Sequence, residues 1–219
     1  MTVLLVGATG LVGRNCLTEL VRAEDVTRVI ALSRRRIETV LPPKVEQHVV
    51  DLADSSTYMP HLRQSACDAV ICALGTTMQK AGSRAAFRSV DHDMVVAVAR
   101  HAFDFGARRF LVVSSVGASP KSTFYYLRVK GAMEDAVSSI PFEAIGLYRP
   151  SLILGERDES RAGERILASL SLLLRGRLGA LDARLIAASM VAGLRSTFSG
   201  RRIFHADEIL DLAGEIPST

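Results

Sequence analysis

The segment Gly7-Ala8-Thr9-Gly10-Leu11-Val12-Gly13 constrains this chain more than any other. It follows a compact β-rich run, residues 3–6. It opens an amphipathic stretch, residues 11–22, in which Leu11, Val12, Leu17, Leu20 and Val21 are apolar and Arg14, Glu19 and Arg22 are charged. Glycines at this spacing meet three physical demands. One allows a tight turn, a second lets the backbone approach a diphosphate, and a third lets the helix sit close to the strand. The helix start then offers unpaired N–H groups and a partial positive charge to phosphates. Turn glycines alone would be a weak signal, but here the strand–turn–helix context is met. The expected ligand is a dinucleotide, carried along its diphosphate by Gly7, Thr9, Gly10, Leu11, Val12 and Gly13.

The remainder of the chain alternates short apolar runs with longer amphipathic segments. Residues 27–32, 45–50, 69–74, 110–113 and 143–148 read as strands. Residues 87–105 read as one long helix with Phe87, Val90, Met94, Val98 and Ala102 on a stripe and Gly106 as its stop, and residues 125–138 as another. Strands apolar throughout and separated by helices indicate a parallel sheet covered on both faces. Right-handed crossovers then give an α/β, doubly wound parallel sheet of the Rossmann type. After Pro150 the pattern changes to two apolar helices (about 164–174 and 183–197), a short strand at 202–205 and a last helix. A chain of 219 residues and 23.7 kDa is the length of one domain. We therefore expect a core of residues 1–150 and a small, mostly helical C-terminal extension, 151–219, too small to fold alone.

Composition excludes several classes. The net charge is +4, with no block of like charges, so a nucleic-acid partner is not expected. The uncharged stretches 166–174 and 185–194 are about half of the ~20 residues a membrane helix needs. Their apolar residues read as core rather than as a membrane or dimer surface. The first residues lack a basic leader, so no signal peptide is expected. Three cysteines, Cys16, Cys67 and Cys72, give no disulfide framework and point to a reducing compartment; we expect a cytoplasmic protein, monomer or homodimer. The histidines are dispersed, and no Cys/His spacing resembles a metal site.

The residues after the second strand bear on the choice of cofactor. NAD-dependent dehydrogenases place an acid there for the ribose 2′-OH. This chain has Ser33-Arg34-Arg35-Arg36 and no acid before Glu38. A guanidinium fork suits a 2′-phosphate, so NADP(H) is favoured over NAD(H). Asp51 and Leu52 end the third strand, where an adenine edge could be held. Leu74, Gly75, Thr76 and Thr77 end the fourth, beside the expected crevice.

A further constellation lies downstream. The fifth strand runs into Ser114-Ser115, and eleven residues after Ser115 comes Tyr126, with Lys130 one helical turn further on. An ammonium beside a phenol favours the phenolate, as does the positive nicotinamide of an oxidised cofactor. Tyr126 could then give or take a proton on a substrate oxygen while hydride moves at the carbon. Lys130 would also hold the nicotinamide ribose. A Tyr and a Lys at this spacing are more often a solvated helix face; their place after Ser-Ser and a glycine turn gives them weight. Tyr125 is the rival tyrosine but lacks a lysine four residues on. Ser114 is the rival serine, on the opposite face of the strand.

As an ordered set these motifs resemble an atypical, extended-like short-chain dehydrogenase/reductase, closest to the Tat-interacting oxidoreductase-like family. The residues that carry the likeness are GATGLVG, SRR, LGTT with KAG, FRSVDHD, SSVGAS, YLRVKGAMED and YRPSLILGERDESRAGE, spread from residue 7 to residue 164. The resemblance implies NADP(H) held by the glycine turn and Arg34/Arg35. It implies Ser115, Tyr126 and Lys130 as catalytic positions, and Arg149, Pro150 and Ser151 on the nicotinamide side. One departure concerns Asp91, which stands where many relatives have a catalytic Asn and so weakens a four-residue proton relay. The extension is short for an enzyme of nucleotide sugars. The expected function is an NADP(H)-dependent oxidoreductase of a small, unidentified carbonyl or hydroxyl substrate. The alternative is a non-catalytic NADPH-binding sensor that acts through protein contacts.

Overall fold

Strand β1 (Thr2–Val6) shows why the sheet lies inside: Val3, Leu4, Leu5 and Val6 are all fully buried. Side chains alternate across a strand, so Val3 and Leu5 enter one core layer and Leu4 and Val6 the other. The computed structural model describes residues 1–64, 66–155 and 180–214. After β1 come α1 (Leu11–Arg22), β2 (Arg28–Ser33), β3 (Val45–Val49), α2 (Met59–Gln64) and β4 (Ala69–Cys72). They are followed by α3 (Met78–Ala81), α4 (Arg84–Arg88), α5 (Met94–Asp104), β5 (Arg109–Val113), α6 (Tyr125–Ser138) and β6 (Ala144–Tyr148). A two-residue pair, β7 (Ile153–Leu154) and β8 (Leu181–Asp182), precedes α7 (Ala183–Gly193), β9 (Gly200–Phe204) and α8 (Ala206–Gly214).

The main sheet has seven strands in the order β3-β2-β1-β4-β5-β6-β9, every neighbouring pair parallel. The chain winds outward from β1 in one direction and from β4 in the other. The order reverses between them, and that is where a doubly wound sheet opens its crevice, at the carboxyl ends of the strands. Val6 is level with Leu32 on one side and Cys72 on the other, so the glycine turn leaves β1 at the mouth of this crevice.

Helices α1, α7 and α8 cover one face, where Leu17, Leu20, Ile186, Ala187, Met190 and Ile209 pack. Helices α5 and α6 cover the other, with Val95, Val98, Ala102, Met133 and Val137. The C-terminal part is thus helical and seated on the sheet, and the apolar residues of α7 are core. The expected helix at 164–174 lies outside the described residues.

Several expected boundaries are corrected. Strand β4 stops at Cys72 rather than 74, where the chain meets the glycine turn; a Cβ on Gly7 would lie 2.8 Å from the Ala73 carbonyl oxygen. Strand β2 extends to Ser33, β3 ends at Val49, β9 is Gly200–Phe204 rather than 202–205, and α7 stops at Gly193 rather than 197. The largest correction concerns the single helix expected at 87–105. It is two helices, α4 and α5, joined by one turn of π-helix at Ser89–Asp93. A π turn inserts one extra residue into the helical register. Asp91 and Val95 are fully buried there, while Val90 and Met94 of the expected stripe are only partly buried, Met94 still packing against the core.

Candidate functional site

The glycine turn is built for close approach. Gly7 has φ +87°, in the left-handed region that a side chain rarely adopts. A Cβ at Gly13 would fall 2.0 Å from the Gly7 carbonyl oxygen, so only glycine lets α1 rest on the turn. Gly10 donates its N–H to Gly7 O at 2.9 Å and stands at the N-cap of α1. It supplies no side-chain cap, and the first turn carries no acid. Helix starts normally recruit Ser, Thr, Asp or Asn to satisfy the leading N–H groups. The missing cap leaves these donors for an anion, with Thr9 and Gly10 exposed above them and Leu11 partly so. Val12 and Gly13 are buried. The chemistry of this donor set fits a diphosphate.

Ser33 is buried at the end of β2, and Arg34, Arg35 and Arg36 are exposed beyond it. Among the described residues no carboxylate forms an ion pair with these three guanidinium groups. After β3, Asp51 is exposed and its carboxylate accepts from Ala53 N at 2.9 Å, while Leu52 is buried in the core. After β4, Leu74 packs on the core, Gly75 crosses the crevice, and Thr77 caps α3 by accepting from Lys80 N at 3.1 Å. Thr76 donates its N–H to Asp91 Oδ2 at 2.8 Å.

That contact leads to the centre of the site. Asp91, delivered by the π turn, also faces Lys130 on α6, with Oδ1 2.8 Å from Nζ. Nζ also donates to the Val113 carbonyl at 3.3 Å. A Cβ on Gly75 would lie 3.5 Å from Asp91 Oδ1 and 3.9 Å from Lys130 Nζ, so the backbone of Gly75 passes directly over the pair. Burial works against the Lys130 ammonium, but the Asp91 carboxylate, helped by Tyr126, outweighs it and holds the lysine above its ordinary range.

Tyr126, one turn before Lys130, is 36% exposed at the rim, its ring tilted against Phe87 at 5.5 Å between centroids. Ser115 is buried, and its hydroxyl donates to the Val116 carbonyl at 3.3 Å. Ser114 points elsewhere: its hydroxyl donates to Glu134 Oε1 at 2.5 Å. Arg149 grips the same Glu134 carboxylate with Nε at 2.8 Å and with a second nitrogen on the other oxygen. Pro150 accepts from Val116 N at 3.0 Å, and Ser151 is partly buried behind it.

The structure therefore brings Lys130, Asp91 and the 74–77 loop together, with Tyr126 one helical turn before the lysine. Ser114 and the Arg149 guanidinium are committed to Glu134. Two residues were under-read in the sequence. Asp91 is the partner of Lys130 rather than merely a departure from a relay. Glu134 lies four residues after Lys130, so Tyr126, Lys130 and Glu134 follow one another at helical spacing, a signal that was readable.

The sequence profile of a family described as NAD(P)H-binding matches residues 7–145. The chain is 36% identical over 167 residues to the protein fmp52, mitochondrial, of Emericella nidulans, covering 75% of this chain and 72% of that one. It is also 36% identical over 165 residues to Protein HTATIP2 of Rattus norvegicus, covering 74% and 67%. Among solved structures, WbmH of Bordetella bronchiseptica in complex with NAD+ superposes with a TM-score of 0.73 at 16% identity, over 94% of this chain and 75% of that one. MoeE5 in complex with UDP-glucose and NAD superposes with a TM-score of 0.71 at 15% identity, over 98% and 81%. These two likenesses establish the fold. The expectation of a cytoplasmic protein is overturned by the fungal relatives, whose names place them in mitochondria. A sparse cysteine count does not separate one reducing compartment from another. Among the described residues no helix is long and apolar enough to cross a membrane.

Proposed function

The chain belongs to the NAD(P)H-binding family, among the atypical short-chain dehydrogenase/reductases that include HTATIP2 and FMP52, and on that premise we propose an NADP(H)-dependent oxidoreductase of a small carbonyl or hydroxyl compound. The observation that carries this reading is the buried Lys130–Asp91 pair one helical turn from the half-open Tyr126.

The residues present fit the dinucleotide. The turn from Gly7 to Gly13 would hold its diphosphate through backbone N–H groups. Arg34 and Arg35, with Ser33, would hold the 2′-phosphate; Asp51 and Leu52 would border the adenine. Gly75, flanked by Leu74, Thr76 and Thr77, gives the room for a ring to lie against the backbone. Arg149 would contribute its main chain, with Pro150 and Ser151, because its side chain is engaged by Glu134. When bound, the nicotinamide supplies or accepts the hydride.

Each side chain has a distinct task. Tyr126 gives a proton to the substrate oxygen in reduction and takes it back in oxidation. Ser115 swings its hydroxyl from Val116 to that oxygen, and donates to it. Lys130 offsets the negative charge that develops on the phenolic oxygen, and its own charge is secured by Asp91. Tyr126→Phe removes the proton donor while leaving the ring on Phe87. Carbonyl reduction measured by NADPH oxidation should fall by about 10²- to 10⁴-fold; unchanged turnover would refute this chemistry.

A second reading, a sensor that binds NADPH without turnover, is favoured by one detail: the Ser115 hydroxyl is already engaged, donating to the Val116 carbonyl at 3.3 Å. A broad carbonyl panel separates the two, since steady oxidation of NADPH with any member excludes the sensor.

A further inference from the structure

The geometry points to Gln47, on the edge strand β3, as the residue that holds the arginine loop in the shape that recognises a 2′-phosphate. This rests on the proposed assignment of that phosphate to Arg34 and Arg35. Gln47 is level with Ala31 of β2, two residues short of Ser33. Its side-chain amide uses both ends on the loop beyond. Nε2 donates to Ser33 Oγ at 2.8 Å and to the Arg35 carbonyl at 3.0 Å. Oε1 accepts from Ile37 N at 3.1 Å. Ser33 Oγ itself donates to the Arg35 carbonyl at 2.8 Å, which closes the network.

These bonds have a common effect. They satisfy the polar groups of residues 33, 35 and 37 from one side, so the backbone between them curls around the amide. The guanidinium groups of Arg34, Arg35 and Arg36 are left outside in solvent, with no carboxylate among the described residues to neutralise them. Like-charged side chains on a short exposed loop repel one another and would spread if the backbone were free. A clamp that fixes two backbone groups and the Ser33 hydroxyl lowers the entropy lost when those forks close on a dianion. A carboxylate at position 47 could still accept from Ile37 N but could not donate to the Arg35 carbonyl, and would draw the arginines inward. The amide is the side chain of this length that serves a donor and an acceptor at once. Gln47 is thus a positioning residue: it touches the loop and acts on cofactor choice through it.

The test measures NADPH and NADH affinities by titration for four proteins: the wild type, Gln47→Met, Gln47→Glu and the double variant Arg34→Ala/Arg35→Ala. Methionine keeps the length and removes every hydrogen bond. We expect Gln47→Met to weaken NADPH about tenfold and NADH less than twofold, with Gln47→Glu weaker for NADPH than Gln47→Met. A loss that is equal for both coenzymes would make Gln47 a structural residue only and overturn the inference, as would an unchanged NADPH affinity. The double arginine variant separates the two claims. If it leaves the NADPH/NADH ratio unchanged, the 2′-phosphate assignment itself fails. If it lowers the ratio while both Gln47 variants do not, the assignment stands and the role of Gln47 falls. Should Gln47→Met unfold, the neutral Gln47→Ala, which removes the same hydrogen bonds without adding charge, carries the same comparison.

Discussion

Asp91 and Lys130 form an ion pair with 1% and 4% of their side chains exposed, and the same carboxylate accepts the N–H of Thr76. One buried acid thus fixes the lysine of α6 and the loop after β4 together. Removing one partner of a buried pair leaves an uncompensated charge, which typically costs about 3–5 kcal/mol. Asp91→Asn can still accept from Thr76, but strands the ammonium. Urea unfolding should show a loss of about 3 kcal/mol at pH 7. In the wild type the Lys130 ammonium is held above its ordinary range, so its contribution is present below about pH 10.4 and is lost as pH rises through the folded-state value. The variant should lose this alkaline dependence, because burial alone pushes the lysine the other way.

The cysteines give a second pH signature. Burial pushes Cys67 and Cys72 up to about 11 and Cys16 higher still. In the unfolded chain a thiol ionises near 8.5. The raised folded values mean that the unfolded state loses protons first, so stability falls as pH rises above about 8.5, by roughly 1.4 kcal/mol per pH unit for each thiol. Native protein at pH 8 should resist a thiol-modifying reagent, and all three cysteines should react in denaturant. Rapid labelling of the native protein would place a thiol outside the core.

Glycines of the turn should separate folding from binding. At Gly13 a Cβ meets the Gly7 carbonyl at 2.0 Å, so Gly13→Ala must push α1 off the turn; we expect a lowered Tm, a loss of about 2–3 kcal/mol and no dinucleotide binding. At Gly10 the nearest atom is 3.3 Å away, so Gly10→Ala should fold with a Tm within a few degrees of the wild type. Its methyl would crowd the uncapped helix start proposed to hold the diphosphate, and dinucleotide affinity should fall at least tenfold. Equal effects at the two positions would contradict this division.

The shared acid of α6 offers a fourth test. Glu134 is buried and serves both Arg149 and Ser114. Glu134→Gln keeps the shape but loses the charge, and chemical denaturation should register a loss of about 2–4 kcal/mol. Glu134→Gln combined with Arg149→Met should recover part of that loss, since no buried cation is then left alone. Simple additivity of the two losses would deny the coupling.

The centre of the sheet was legible because its strands are apolar throughout: residues 3–6 and 69–72 have no polar side chain to place, whereas the edge strands β3 and β9 carry Glu46, Gln47 and His48, and Arg201 and Arg202. The turn was legible because glycine at positions 7, 10 and 13 meets a spacing that backbone contact alone explains. Asp91 was not, because an acid within an apolar stripe reads as an exception to it, and the partners that explain its burial, Lys130 and Thr76, lie on other elements. Gln47 was hidden differently: besides the Ser33 hydroxyl, its partners are main-chain groups of the loop after another strand, which no side-chain motif encodes. The location was misread because reducing conditions are common to several compartments.

The most direct measurement of the central claim is calorimetric titration of the purified protein with NADPH and with NADH at low ionic strength. The account predicts NADPH binding in the micromolar range and NADH at least tenfold weaker, with the difference shrinking as salt screens the exposed arginines. Absence of binding by either coenzyme would contradict it.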